Sequence, residues 1–138
     1  VDCMFVTVFY GIFNLKTGEI SYCNAGHNPP YILKRGGAVE VLPMSQDPMV
    51  GAIDGIEYHG ATLQLDHGDS LVMFTDGVTE AMNAQNEEFG EERLEDTLAE
   101  VTMHNCQQIV EAIKVDVAAF VGDAEQSDDI TVLALKRQ

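Results

Sequence analysis

An acidic residue follows closely on the short apolar run Ser70–Phe74. The run has the length and composition of a strand that is buried on both faces, and Asp76-Gly77 interrupts it with a charge and a residue that turns freely. A carboxylate at this position is costly to bury unless a cation, backbone donors or water meets it. An Asp-Gly pair after a strand is also typical of an ordinary turn. The stretch therefore predicts a core strand with a carboxylate at its end.

Two further acids precede the last apolar stretch of the chain. Asp128 and Asp129 stand directly before residues 130–135, whose β-branched and apolar composition predicts a strand. If this strand lies antiparallel beside strand 70–74, Asp76 and one of the two later acids reach the same edge of the sheet. Clustered carboxylates repel one another unless a hard divalent cation such as Mg²⁺ or Mn²⁺ lies between them. The pattern predicts a metal site made by Asp76 with Asp128 or Asp129.

The charge balance argues against a nucleic-acid partner. The chain has 23 acidic residues against 7 basic ones and a formal net charge of −16. A polyanion would approach a strongly negative surface, and no basic cluster is longer than Lys34-Arg35 or Lys136-Arg137. Most of the acids are expected to keep the protein soluble, since a metal site needs only a few of them.

Length and cysteine content predict a cytoplasmic single domain without a membrane partner. The chain has 138 residues, and no apolar run approaches the roughly 20 residues that span a bilayer. Its three cysteines, Cys3, Cys23 and Cys106, are odd in number and are not spaced as metal ligands, which predicts free buried thiols in a reducing compartment. Because the first residue is Val1, we expect the chain to be a piece of a longer polypeptide.

Strand signals come first along the chain and helix signals last. Residues 4–13, 20–24, 31–33 and 38–42 are β-rich and predict a four-stranded antiparallel meander, with a half-exposed strand over 58–65. Helical periodicity predicts two helices, over 91–101 and 106–121. The order predicts an α+β fold with helices on one face of an antiparallel sheet. His27 lies in the irregular segment 25–30, where a loop histidine bonded to the backbone is expected.

Four segments together resemble a known family. They are FVTVFYG at 5–11, YCNAGHNPP at 22–30, FTDGVTEA at 74–81 and SDDIT at 127–131. In this order and with these gaps they are similar to the bacterial stage-II-sporulation-E and RsbU-type branch of the metal-dependent PP2C phosphatases, over essentially the whole chain. Members of that branch carry, upstream of the first segment, a Gly-Asp motif whose aspartate bridges two metal ions. The resemblance implies that residues 1–138 are the C-terminal portion of such a domain.

The resemblance also implies a fold, a reaction and a set of ligands. The fold is a PP2C-like αββα sandwich, of which this chain would supply antiparallel sheets and one helical layer of two helices. The reaction is hydrolysis of phosphoserine or phosphothreonine by a metal-activated water, with two Mn²⁺ or Mg²⁺ ions in the intact domain. Asp76 and Asp128 match the family's metal ligands and would be the catalytic residues, whereas many relatives have Asn at the position of Asp129. His27 stands where eukaryotic members have an aspartate that can bind an additional metal.

The partners implied by the resemblance are a phosphorylated anti-sigma-factor antagonist as substrate and an upstream sensor or response-regulator domain in the same polypeptide. The fragment alone is expected to be inactive, because the bridging aspartate is missing from it. The alternative is a non-catalytic phosphatase-like module, which binds the same partner or regulates a neighbouring domain without hydrolysing anything.

Overall fold

A computed structural model describes residues 4–43 and 47–138, which form two antiparallel sheets and one layer of helices. The elements are β1 (Val8–Phe13), β2 (Glu19–Ala25), β3 (Tyr31–Leu33), β4 (Val39–Val41), β5 (Ala61–Gln64), β6 (Ser70–Phe74), α1 (Asp76–Thr79), α2 (Gly90–Glu100), α3 (Cys106–Val121) and β7 (Val132–Lys136). The α+β class predicted from the order of the segments is confirmed. No helix among these residues is long and apolar enough to cross a bilayer.

The first sheet has the strand order β1-β2-β5. A hairpin joins β1 to β2, and their register runs from Val8↔Ala25 to Phe13↔Ile20. The hairpin turn is held by Asn14, whose side-chain oxygen accepts hydrogen bonds from the backbone N–H groups of Lys16 and Thr17 at 3.0 and 3.2 Å. Strand β5 pairs with the other edge of β2 and is shorter than the strand predicted over 58–65.

The predicted four-stranded meander is wrong, because the chain changes sheet between β2 and β3. Strands β3 and β4 pair with each other and with β6, not with β2. The change of direction takes place at Gly26, which has a φ of +68°, and at Pro29-Pro30, which have no N–H groups to continue a ladder. The irregular segment is therefore the crossover between two sheets, not an interruption within one.

The second sheet has the order β4-β3-β6-β7 and places the strand before Asp76 at its centre. Strand β6 runs antiparallel to β7 in the register Ser70↔Lys136 to Phe74↔Val132. The sequence predicted this pairing of the strand before Asp76 with the last strand of the chain. It brings the end of β6 and the start of β7 to the same edge of the sheet.

Strand β6 is buried on both faces because successive side chains point to opposite sides. Val72 and Phe74 pack in a cluster with the helices, whereas Leu71 packs in a second cluster between the two sheets. The first cluster also contains Leu94 and Leu98 of α2 and Ile109, Ile113 and Val117 of α3. The second contains Ile20, Ile32, Leu42 and Leu65.

The two long helices lie close to their predicted bounds. Helix α3 spans the predicted residues 106–121, and its N-terminus has a capping box in which Asn105 and Gln108 satisfy each other's backbone N–H groups. Helix α2 begins at Gly90 and ends at Glu100, one residue before the predicted start and end. The two helices cover the β6 face of the second sheet, as expected for one helical layer.

The outer face of the first sheet is apolar and exposed. Its open groove of about 530 Å³ is lined by Tyr10 and Ile12 of β1, Ser21 and Cys23 of β2, and Thr62 of β5, among others. The side chains of Tyr10 and Ile12 are 62% and 61% exposed. Within residues 4–43 and 47–138, no helix residue lines this groove. Cys23 and Cys106 are free thiols, but both are half-buried rather than buried, and Cys3 lies outside the described residues.

Candidate metal centre

Asp76 lies two residues after β6, where it begins the single helical turn α1. Thr75 before it is still extended, with φ −99° and ψ 163°. The Asp76 side chain is exposed, and its Oδ1 atom accepts a hydrogen bond of 2.6 Å from Nδ2 of Asn28. Asn28 belongs to the crossover between the two sheets. The carboxylate that the sequence predicted at the end of the core strand is therefore found there, and the side-chain amide of a distant segment donates a hydrogen bond to it.

Thr75 joins the segment before β7 to the end of β6. Its hydroxyl donates a hydrogen bond to the main-chain oxygen of Asp129 at 3.2 Å and accepts one from the N–H of Thr131 at 3.0 Å. Its own N–H donates to the main-chain oxygen of Thr131 at 3.1 Å. These bonds continue the pairing of β6 and β7 beyond the strand ends. The acid loop, residues 127–131, is thus fixed directly beside Asp76.

Gly77 is buried, and it allows the acid loop to approach. A Cβ atom at this position would overlap the main-chain carbonyl of Asp129. The sequence predicted that Gly77 gives the chain freedom to turn, but the residue lies in α1 and its backbone is not in the left-handed region. The reason for a glycine here is close approach of two backbones, not a turn.

Asp128 and Asp129 play different parts in the acid loop. Both side chains are exposed. Oδ1 of Asp128 accepts a hydrogen bond of 2.7 Å from the N–H of Asp129, and the main-chain oxygen of Asp128 accepts one from Gln126. Asp129 contributes its main chain, since its carbonyl oxygen meets Thr75 and Gly77. The structure therefore brings the segments that carry Asp76 and Asp128 together at one sheet edge, as the sequence predicted.

The donor chemistry at this edge fits a hard divalent cation, but the number of donors is too small. Carboxylate oxygens are the ligands that Mg²⁺ and Mn²⁺ prefer, and these ions take about six oxygens each. Within residues 4–43 and 47–138, no three His, Cys, Asp or Glu side chains are grouped so that they could hold a metal ion. A metal site at this edge that used Asp76 and Asp128 would need further oxygen ligands.

His27, which directly precedes Asn28 in the sequence, has partners of its own. Its Nδ1 atom is 3.0 Å from the hydroxyl of Thr7. Its main-chain N–H and oxygen bond to the side chain of Asn24 at 2.8 and 2.9 Å. A loop histidine bonded to the backbone was expected, but the partners of His27 are the side chains of Thr7 and Asn24. Like Asp76 and Asp128, His27 belongs to no group of three potential metal ligands in the described part of the chain.

Asp69, at the other end of β6, is a structural acid. It is 3% exposed and accepts hydrogen bonds from Nζ of Lys34 at 2.8 Å and from the N–H groups of Arg35 and Asp66 at 3.0 and 3.1 Å. Burial by itself raises the pKa of Asp69, but the bonds from Lys34 and the two N–H groups outweigh it and leave the pKa lowered. The hydrogen bond to Asp69 raises the pKa of Lys34. The pair ties β3 to the start of β6.

The sequence did not identify Asn28 as a partner of Asp76. The only signal in the sequence is a polar amide directly before two prolines, in a segment that breaks the strand pattern. The partner is 48 residues away, and the two positions meet because the crossover passes the end of β6. Local sequence patterns therefore do not predict the contact between Asn28 and Asp76.

The two sheets and the helical layer match part of solved PP2C phosphatase domains. The chain superimposes on the phosphatase domain of the cell fate determinant SpoIIE from Bacillus subtilis with a TM-score of 0.73 and 22% identity, over 96% of this chain and 58% of that one. It matches the SiaA-PP2C domain of Pseudomonas aeruginosa with a TM-score of 0.74 and 22% identity, over 88% and 47%. At this level of identity the solved structures establish the fold.

The sequence profile of the stage II sporulation protein E (SpoIIE) family matches residues 1–138, and the chain belongs to this family. It is 36% identical over 134 residues to protein IcfG of Synechocystis sp. (strain ATCC 27184 / PCC 6803 / Kazusa), covering 97% of this chain and 21% of that protein. It is 27% identical over 135 residues to phosphoserine phosphatase RsbU of Bacillus subtilis (strain 168), covering 98% and 40%. The chain thus spans less than half the length of these curated relatives.

Proposed function

We propose that residues 1–138 are the C-terminal portion of a PP2C-type domain that hydrolyses phosphoserine or phosphothreonine on a regulatory protein. The observation that carries the proposal is the contact between the two acid-bearing segments, made by Thr75 and Gly77 with the main chain of Asp129. It would hold the carboxylates of Asp76 and Asp128 at one edge of a rigid sheet. Membership of the SpoIIE family and the similarity to a phosphoserine phosphatase support the same reaction.

In this proposal Asp76 and Asp128 are metal ligands for Mn²⁺ or Mg²⁺, of which the intact domain holds two. When bound, the ions would activate a water and screen the charge on the phosphoryl oxygens. The protein's part is to hold its carboxylates in place before the substrate arrives. Asn28 fixes one oxygen of Asp76, and the N–H of Asp129 fixes one oxygen of Asp128. The remaining ligands come from an upstream Gly-Asp motif.

The substrate in this proposal is a phosphorylated anti-sigma-factor antagonist in the cytoplasm, and the parent polypeptide carries an upstream sensor or response-regulator domain. The family resemblance supports both statements. The chain matches 40% of RsbU and 21% of protein IcfG, so both relatives contain further sequence outside the matched region.

A non-catalytic phosphatase-like module is the second candidate. One observation favours it, which is that the part of the chain the structure describes groups no three acidic, histidine or cysteine side chains as metal ligands. The two candidates differ in what the upstream residues add. An upstream aspartate completes the site of an enzyme, whereas a module without one binds the phosphoprotein and leaves its phosphate in place.

The test is metal-dependent hydrolysis of a phosphoserine peptide by the complete polypeptide. Asp76→Asn and Asp128→Asn should each remove activity at saturating Mn²⁺, by more than the roughly 10–100-fold that loss of an outer-shell partner costs. Asp129→Asn is the matched control and should keep most of the activity, because Asp129 meets Thr75 and Gly77 with its main chain. Circular dichroism confirms that each variant is folded.

Each candidate predicts a different outcome of this assay. A complete polypeptide that binds the phosphopeptide and releases no phosphate in Mn²⁺ supports the non-catalytic module. A variant that keeps near-parental activity shows that its aspartate is not a ligand.

A further inference from the structure

We propose that Asn28 is a positioning residue for the Asp76 carboxylate. Its Nδ2 atom donates a hydrogen bond of 2.6 Å to Oδ1 of Asp76, across 48 residues of sequence. Among the described residues, Asn28 alone donates a hydrogen bond to this carboxylate. The role rests on the proposed metal-dependent activity. Asn28 itself is not one of the proposed metal ligands, which are Asp76 and Asp128.

The crossover segment holds Asn28 in a fixed place. The side chain of Asn24 is 4% exposed and bonds to both the N–H and the main-chain oxygen of His27, at 2.8 and 2.9 Å. Gly26 packs so closely on Met49 that a Cβ atom there would lie 2.9 Å from the Met49 nitrogen. These contacts fix the backbone immediately before Asn28.

The residues after Asn28 are equally constrained. Pro29 and Pro30 have φ angles fixed by their rings, and Pro30 is fully buried. The next residue, Tyr31, is already part of β3 and is 2% exposed. An amide held between two fixed segments loses little conformational entropy when it bonds to Asp76, so the contact is preorganised.

The chemistry of an amide suits this role. Asp76 is exposed, and an exposed carboxylate rotates freely about its last torsion unless a donor holds one oxygen. A neutral amide N–H₂ group orients the carboxylate and leaves its full negative charge for a cation. A Lys or Arg donor would form an ion pair with Asp76 and compete with the cation. Asn28 therefore orients Asp76 without lowering its charge.

The test compares Mn²⁺ binding by the complete polypeptide and by its Asn28→Ala variant, using calorimetric titration. Outer-shell partners of metal ligands are worth about 10–100-fold in metal affinity, so the variant should bind Mn²⁺ about tenfold more weakly. Hydrolysis of p-nitrophenyl phosphate should need about tenfold more Mn²⁺ for half-maximal rate, with kcat at saturating Mn²⁺ within about threefold of the parent. A merely structural role would lower the melting temperature and leave the Mn²⁺ affinity unchanged.

Two further variants make the comparison specific. Asn28→Leu keeps the approximate volume of the side chain and removes the amide, so it should lose as much Mn²⁺ affinity as Asn28→Ala. Asn14→Ala is the control, because Asn14 also organises a loop with its side chain but lies at the opposite end of the β1–β2 pair. It should lower the melting temperature and leave Mn²⁺ binding unchanged.

The possible results separate the role of Asn28 from the proposed function. If the complete polypeptide binds Mn²⁺ and both folded Asn28 variants bind it equally well, the positioning role is overturned and the metal-dependent function stands. If both Asn28 variants fail to fold, Asn28 determines the fold instead, and the role is overturned as well. If the complete polypeptide binds no Mn²⁺, the proposed function and the role of Asn28 both fall.

Discussion

Gly77 and the main-chain carbonyl oxygen of Asp129 lie so close together that no side chain fits between them. Asp76 directly precedes the first of these residues and Asp128 the second, so the spacing of two backbones sets the spacing of two candidate ligands. Main-chain atoms have no side-chain rotamers, so this contact keeps its geometry when the exposed side chains around it move. The geometry of the acidic edge therefore depends on residue 77 having no side chain.

Gly77→Ala should lower the free energy of unfolding of the complete polypeptide by roughly 1–3 kcal/mol, because overlap with a main-chain atom forces a backbone shift. The gain in helix propensity of up to about 1 kcal/mol does not offset this overlap. Gly36→Ala is the matched control, since nothing lies within 4 Å of its Cβ position, and it should stay within about 0.5 kcal/mol. Urea unfolding measures both, and equal stability of the two variants would contradict the close contact.

Asp69→Asn should weaken the protein in a pH-dependent way. The folded-state pKa of Asp69 is lowered from an unfolded value of about 3.9, so its stabilising contribution is present above that pH and is lost as the pH falls through the folded pKa. At pH 7 the variant should be less stable by roughly 2 kcal/mol, the typical worth of hydrogen bonds to a charged group. The difference should narrow below about pH 4. Asp66→Asn, at an exposed acid of the same turn, is the control and should change the free energy of unfolding at pH 7 by less than about 0.5 kcal/mol.

Ile12→Thr tests whether another part of the parent covers the outer face of the first sheet. In the complete polypeptide the substitution should lower the free energy of unfolding by roughly 1–3 kcal/mol, because it removes a buried apolar group. In the isolated 138-residue chain the same change should cost less than about 0.5 kcal/mol and should reduce binding of the dye ANS. Leu15→Thr, at an 82% exposed hairpin position, should have little effect in either protein. Equal effects of Ile12→Thr in both proteins would show that nothing covers this face.

The isolated chain should bind Mn²⁺ only at millimolar concentration or weaker and should show no measurable turnover. Two carboxylates leave most of the six oxygen positions of Mn²⁺ to water, and a site without its bridging ligand loses affinity. Calorimetric titration of residues 1–138 with Mn²⁺, paired with a phosphopeptide assay, measures both quantities. Micromolar binding with turnover would mean that the full ligand set lies within the chain.

Local elements were predictable because their signals are local. Helix α3 follows its apolar periodicity and its capping residues from Cys106 to Val121, and β6 follows the apolar run Ser70–Phe74. The pairing of β6 with β7 was also predictable, since acids at the end of one strand and the start of another make sense together only if the strands are antiparallel neighbours. The sequence therefore predicted that the segments carrying Asp76 and Asp128 meet at one sheet edge.

Pairings that depend on the path between sheets were not predictable. Tyr31–Leu33 has the same strand signals whether it joins β2 or β6, and only the direction of the chain after Gly26 decides between them. Asn28 meets Asp76 only once that direction is set. The role of Gly77 was misjudged for a related reason, because its neighbour in space is Asp129, which lies more than fifty residues away in the sequence.

The hydrogen bonds that Asn28 and Thr75 make at the acidic edge join distant parts of the chain. Asn28 meets Asp76 across 48 residues, and Thr75 meets Asp129 and Thr131 across 54 and 56 residues. Closing such long loops costs entropy before the contacts form, so the Thr75 bonds need β6 and β7 to be paired, and the Asn28 bond needs the crossover segment to have reached the end of β6. No short piece of the nascent chain can hold the edge in its native shape. The capacity to bind metal should therefore appear late in folding, and the timing of Mn²⁺ binding would report when β6, β7 and the crossover segment have come together.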